Sequence, residues 1–328
     1  MAAVANAGGL GMIGAGYMSP DHINNLIWEV KKKTVHPFGV NLFVPAPYDA
    51  GVQEIQNAKE NLKPFQARLG IQDNTCILPT YENDLRIFLE QIQIVINEKV
   101  PVCSFTFGLP SEEVISMLKQ EGIVVIGTAT TVREAVLIEQ AGLDAVVAQG
   151  SEAGGHRGTF NGDFKDSLIG LMSLIPQVCD TVKIPVIAAG GIMDGRGVLA
   201  AKVLGADAVQ LGTAFIATHE SGAQTIYKDA LLKATEDQTA LTRAFSGKPA
   251  RGLKNKFISE MNGTEIPAYP IQNELTKGIR KAASDHNNPD YLSMWSGQSA
   301  RLTKKSSVRE LLAEIISQAE AEAKSLRI

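Results

Sequence analysis

AVVAQGSEAGGHRGTF, residues 145–160, and IPVIAAGGIMDGRGVLAAKVLGADAVQLGTAF, residues 184–215, carry three short apolar runs that each stop at glycine. The runs are Ala145–Ala148, Pro185–Ala189 and Ala208–Leu211. One helix-length segment separates the second from the third. Strand, turn, helix, strand, turn is the signature of a parallel sheet. The first run is followed by a loop rich in glycine that carries His156, the second by Gly190-Gly191 and the third by Gly212-Thr213. Glycines at such turns let backbone N–H groups approach an anion with no Cβ in the way, and a following helix N-terminus adds a positive dipole end. In a (β/α)8 barrel the loops after the last two strands are where phosphate binds. A phosphate clamp beside a histidine loop points to a phosphorylated cofactor facing a catalytic group.

Working outward, the chain alternates strand and helix from its start. Residues 1–9 read as the last turns of a helix ending at Gly8 or Gly9, and Leu10–Gly16 reads as a buried strand. Ser19-Pro20 opens a helix as N-cap and first helical residue. Further strands are expected at 38–44, 101–107, 123–128, 144–149, 185–189 and 207–212, seven with the first. Tyr48–Pro79 reads as helical and then irregular. Seven parallel strands alternating with helices are one short of a closed α/β (β/α)8 TIM barrel, the shortfall lying at the start. A doubly wound open sheet is the competing architecture. Residues 1–220 and 305–328 are assigned to the barrel. Residues 221–304, read as helices without strands, are expected to form a helical lid subdomain over the barrel mouth. A final amphipathic helix runs over 308–326.

Of the 328 residues, 45% are hydrophobic and 20% charged, and the net charge is −4, so no basic surface for nucleic acid is advertised. Cys76, Cys103 and Cys179 are odd in number and lack C-x-x-C spacing, which fits reduced thiols and implies no metal site. No apolar run reaches the ~18 residues of a membrane span, and no signal peptide is evident. A cytoplasmic enzyme of small molecules is expected. The oligomeric state is not legible.

His156 is the sharpest catalytic candidate, because a histidine in a polar, flexible loop at a strand end is free to face a ligand and titrates near working pH. Gly190, Gly191, Gly212 and Thr213 form the expected phosphate cradle. Asp194 reads as the N-cap of the next helix. Asn41, Gln149 and Gln210 are polar groups at strand ends that suit either neighbouring backbone or the edge of a heterocycle.

These residues also resemble a known family, the class I nitronate monooxygenases, formerly called 2-nitropropane dioxygenases. The likeness runs through PFGVNLFVP, VCSFTFGLPS, VAQGSEAGGHRGTF, the 185–215 stretch, AFSGKPARGLKNKF, YPIQNELTKGIRKAA and MWSGQSARL. The SEAGGHRG and QLGTAF blocks are shared with FMN-dependent enoyl reductases, whereas YPIQNELT and MWSGQ look more like the monooxygenases. The resemblance implies an FMN-binding barrel under a helical lid. It places Asn41, Gln149, Gly154, Gly190 and Gln210-Leu211-Gly212-Thr213 at the flavin and makes His156 the catalytic histidine. It further implies oxidation of alkyl nitronates such as propionate 3-nitronate with O2 to a carbonyl compound and nitrite. A strand of the PIIQAPMAGG kind is expected before the first helix, and its absence reads as a start placed too far downstream. An NAD(P)H-using enoyl-thioester or quinone reductase is the alternative, followed by a truncated, non-catalytic remnant and a flavin-free phosphosugar barrel.

Overall fold

A computed structural model describes residues 1–72 and 76–326. Residues 73–75, part of the stretch read as irregular, and 327–328 lie outside that description. Among the described residues the strands are β1 (Gly11–Gly14), β2 (Phe38–Phe43), β3 (Val102–Thr106), β4 (Val124–Ala129), β5 (Ala145–Gln149), β6 (Gly155–His156), β7 (Val186–Ala189), β8 (Ala208–Gln210), β9 (Thr239–Thr242) and β10 (Ala250–Leu253). Seven of them form one parallel sheet in the order β1-β2-β3-β4-β5-β7-β8. Sequential neighbours throughout are what a (β/α)8 barrel requires, and the order lacks the reversal of a doubly wound sheet. All seven expected strands are present. Among the described residues β1 and β8 do not pair with each other, so the curled sheet is open between them.

Helices fill the connections because the local signals are strong. The first is α1 (Ala2–Asn6); α2 (Pro20–Lys31) starts where the Ser19 hydroxyl accepts from the His22 N–H at 3.3 Å. Then come α3 (Val52–Arg68), α4 (Tyr81–Asn97), α5 (Glu112–Gln120), α6 (Val132–Gln140), α7 (Leu171–Cys179) and α8 (Gly195–Val203). Asp194 caps α8 as expected, accepting from the N–H groups of Arg196 and Gly197. After β8 follow α9 (Thr213–Ile216), α10 (Thr225–Lys233), α11 (Lys256–Glu260), α12 (Ile271–Leu275), α13 (Lys277–Asp285) and α14 (Val308–Ser325). The last opens on a capping box of Ser307 and Glu310.

The two largest hydrophobic clusters account for most of the core. The larger lies between the sheet and its helices and includes Ile23, Val40, Phe105, Val125, Val146, Leu174 and Ala188. The second gathers Phe245, Phe257, Ile271, Leu275, Ile279 and Tyr291 with Leu62 and Phe65 of α3. The 221–304 segment therefore shares its core with a helix almost 200 positions earlier by number. Among the described residues no helix is long and apolar enough to cross a membrane.

One expectation is corrected here. Residues 221–304 are not purely helical, for β9 and β10 pair antiparallel and β10 pairs in turn with β6. Thr239–Thr242 and Ala250–Leu253 are too short to show the alternation that marks a strand, so sequence periodicity misses them. The pairing has a consequence for His156. It is registered against Ala250 of β10, and the Arg157 N–H donates to Pro249 O at 2.8 Å. The glycine-bearing loop is thus a fixed strand edge rather than the flexible loop the sequence suggested.

Candidate active site

The parallel strands end on a cavity of about 440 Å³. Asn41 comes from the end of β2, Ser104 and Thr106 from β3, Thr128 from β4, Gln149 from β5, Ala189 from β7 and Gln210 from β8. Polar side chains cluster there because strand ends are the one place in a barrel where a polar group escapes the packed interior. Gly154, Gly190, Gly191, Gly212 and Thr213 complete the rim with Trp295, Gly297 and Ser299. All the residues singled out as cofactor contacts line this cavity except Leu211, whose side chain packs against Met193, Ala214, Leu311 and Ile315. The volume falls in the range that encloses a small organic cofactor.

One end of the cavity suits an anion. Among the described residues the N–H groups of Gly190, Gly191, Gly212 and Thr213 have no protein acceptor. Gly191 has φ 66°, and a Cβ there would stand 3.2 Å from Glu152 Cβ and 3.3 Å from Ser299 Oγ. A Cβ on Gly212 would meet nothing within 4 Å, so that backbone faces open space. The MWSGQ segment closes the same end: Gly297 N–H donates to Thr213 Oγ1 at 3.0 Å and Gln298 N–H to Glu152 O at 2.9 Å.

The strand-end amides have mixed roles. Asn41 Oδ1 accepts from Ser104 Oγ at 2.8 Å and Thr106 Oγ1 at 3.1 Å, which leaves its NH2 without a protein acceptor among the described residues. Gln149 is already engaged at both ends, donating to His156 O at 3.0 Å and accepting from Gly158 N–H at 2.9 Å. It fastens the histidine strand to β5. Below it, the buried Arg157 donates to Gly150 O, Gln149 O and Ser167 O. Glu134, also buried, accepts from the N–H groups of Thr130, Phe160 and Asn161. Both turns flanking the histidine are therefore held by charge-assisted bonds.

His156 lines neither this cavity nor a second one, but the rings packed around it line one or the other. Its ring lies 5.3 Å from that of Trp295 on the first side. On the other it lies 5.6 Å from Phe107, 6.3 Å from Phe43 and Tyr17, and 6.4 Å from Tyr269. Nε2 is 2.8 Å from Ser246 Oγ. The Ser246 hydroxyl also reaches Lys248 O at 3.1 Å. Tyr17 Oη stands 3.5 Å from the same Nε2, and whether Nε2 donates or accepts in this set depends on which ring nitrogen carries the proton.

Burial in this cage, with the charges of Lys248 and Arg280 nearby, pushes the His156 pKa down from 6.5 to about 3. The ring is neutral at pH 7, able to take a proton and to donate one hydrogen bond. The sign of the stability effect follows. Below pH 6.5 the unfolded chain protonates this histidine while the folded chain resists until about pH 3. Stability should therefore fall across that window, by at most about 1.4 kcal/mol per pH unit. Urea midpoints at pH 7 and pH 5 should drop further for the wild type than for His156→Gln; equal drops would contradict the buried, neutral ring.

The family model described as nitronate monooxygenase matches residues 1–318. The chain belongs to the nitronate monooxygenase family. A probable nitronate monooxygenase of Staphylococcus haemolyticus is 48% identical over 97% of this chain and 89% of its own. Among solved structures, the nitroalkane oxidase of Streptomyces ansochromogenes superposes with a TM-score of 0.91 at 39% identity, covering 100% of this chain and 92% of that one. FabK of Thermotoga maritima gives 0.78 at 34% identity, covering 99% and 89%. As a member of the nitronate monooxygenase family this chain is an oxidoreductase of a flavin-dependent class.

Sequence reasoning left several residues of the site without a role. The cage rings Tyr17, Phe107 and Tyr269 come from three separate connections, and Ser246 and Lys248 from the β9–β10 turn. The blocks YPIQNELT and MWSGQ, shared with nitronate monooxygenases, contain Tyr269, Trp295 and Gly297, so their family likeness was the available signal.

Proposed function

We propose that the chain oxidises alkyl nitronates, propionate 3-nitronate among them, with O2 to a carbonyl compound and nitrite, using FMN as its flavin. The observation that carries this reading is an anion cradle with free N–H groups on one cavity and a caged neutral histidine behind Trp295 of the same cavity. Gly190, Gly191, Gly212 and Thr213 would hold the phosphate, and the NH2 of Asn41 and the amide of Gln210 would meet the edge of the ring system. FMN supplies the electron transfer and O2 chemistry; the protein supplies position and electrostatics. His156 takes the α-proton when the substrate arrives as a neutral nitroalkane, and as a neutral N–H donor it orients a nitronate oxygen. Burial first, and then the charges of Lys248 and Arg280, keep the imidazole neutral, and the same two cations favour an anion beside it. Reduced thiols and a small anionic substrate fit a cytoplasmic enzyme.

The test compares oxygen uptake on propionate 3-nitronate with anaerobic oxidation of NAD(P)H by the same holoenzyme. The reading expects nitronate-dependent oxygen uptake and nitrite release without NAD(P)H. Rapid flavin reduction by NAD(P)H with no nitronate turnover would replace it with the reductase alternative.

A further inference from the structure

A third cavity, of about 390 Å³, lies along one face of α13, a volume in the range of small-molecule sites. Lys277, Arg280, Lys281 and Ser284 line it, and their spacing of three, four and seven residues from the first puts them on that one face. Gln224 and Tyr227 of α10 and residues 292–294 form the rest of the wall. Three cations and no carboxylate face the space.

The cations differ in how well they are satisfied. Lys277 pairs with Glu274 at 3.4 Å and Lys281 with Asp285 at 2.7 Å, but both lysines are exposed, so these pairs are worth little and can yield to a ligand. Among the described residues Arg280 has no acid partner. Its Nη2 donates to Asn273 O at 2.7 Å and Asn273 Oδ1 at 3.0 Å, and its Nε is buried with no acceptor among them. Burial holds the Arg280 pKa below its ordinary value. A desolvated guanidinium without a counter-charge is costly, and an anion in the cavity would offset that cost. Two further groups suit the same ligand. Gln224 is the N-cap of α10 yet gives its first turn no side-chain bond, so the positive end of that helix is open. Gln224 Nε2 donates instead to Ser284 Oγ, which leaves the Ser284 hydroxyl proton to donate.

We propose that this cavity is a second anion site, apart from the cradle at the β7 and β8 exits, and that it binds the phosphate of a small phosphorylated ligand against Arg280, Lys281 and Ser284. The site has a route to the chemistry. Arg280 is one of the two cations whose charge reaches His156, and the Asn273 it holds lines the second cavity. A phosphate at Arg280 cancels that charge, so its binding and the binding of an anionic substrate oppose each other. This coupling, unlike the site itself, rests on the nitronate reading above.

The experiment is calorimetric titration of the flavin-loaded protein, its cradle filled, with inorganic phosphate and separately with AMP, at fixed ionic strength in chloride. The expected result is one saturable site per chain with a Kd below about 1 mM. Arg280→Gln should weaken it about 10- to 150-fold. Lys281→Ala, a surface change that spares the fold, should weaken it about two- to fivefold. AMP binding at least about tenfold tighter than phosphate assigns the site to nucleotides, and equal affinity assigns it to free phosphate. In oxygen-uptake assays saturating phosphate should raise the KM for propionate 3-nitronate about fivefold and leave that for neutral nitroethane unchanged. Lys281→Ala should need more phosphate for the same rise. No saturable heat, or binding that both variants leave unchanged, overturns the site. Binding that responds to the variants without a rise in KM overturns the coupling alone. Absence of nitronate turnover overturns the nitronate reading, and the calorimetry still decides the site.

Discussion

Replacing His156 with alanine should leave the flavin bound and lower kcat/KM on neutral nitroalkanes by about 10²–10⁴-fold, the contribution of a positioned general base. The flavin should stay because the ring makes no contact with the anion cradle, which is built from backbone groups of the last two strand exits. On preformed nitronates, with no proton left to remove, the loss should be smaller, within about tenfold for one orienting hydrogen bond. The split between the two substrate forms separates a proton-transfer role from simple disruption of the aromatic cage, which would depress both alike. Stopped-flow reduction and oxygen uptake on matched nitroalkane and nitronate pairs read it directly. Unchanged turnover of neutral nitroalkane would remove His156 from the chemistry.

The second large effect is at Gly154. A Cβ there would stand 2.5 Å from Gly297 N and 2.6 Å from Ser296 C, both backbone atoms that cannot swing aside. Gly154→Ala must therefore push the MWSGQ segment outward, and that segment's Gly297 N–H is the group bonded to Thr213 Oγ1 at the anion end. Overpacking of this kind costs about 1–3 kcal/mol, which would weaken flavin binding by about 5- to 150-fold if expressed there. Flavin fluorescence titration of the apoprotein measures it, and a circular dichroism melt of the same sample shows whether the fold has been lost as well. Wild-type flavin affinity in Gly154→Ala would mean that the close packing of the two segments is unrelated to the cofactor.

The barrel was legible because parallel strands buried on both faces read as short apolar runs bounded by glycine. Pro185–Ala189 is such a run and comes out as the largely buried β7; Ala208–Leu211 comes out as β8, which at the open edge of the sheet is largely exposed. The glycine pairs and His156 were legible for the same reason, since their positions at strand ends follow once the strands are known. The cage was not. Its rings come from positions 17, 43, 107, 269 and 295, and no local pattern relates residues so far apart. The burial that depresses the His156 pKa follows from that packing, so a histidine that reads as a mobile titrating group is instead neutral and fixed. Asn41 was legible as a polar anomaly in an apolar strand, yet half of its hydrogen bonding is satisfied by Ser104 and Thr106 on the next strand, a pairing that needs the register of β2 on β3. The second cavity escaped for a related reason: its walls combine the β3 exit, the 77–91 region and residues between 243 and 274, and only tertiary packing brings them together.

The claim underlying all of this is that backbone amides at the exits of β7 and β8 hold a flavin phosphate. It is tested most directly by titrating the apoprotein with FMN and with riboflavin, which differ by that phosphate alone. The account predicts stoichiometric FMN binding and riboflavin binding at least about 100-fold weaker, the loss of several charge-assisted hydrogen bonds. Equal affinity for the two, or no binding of either, would contradict it.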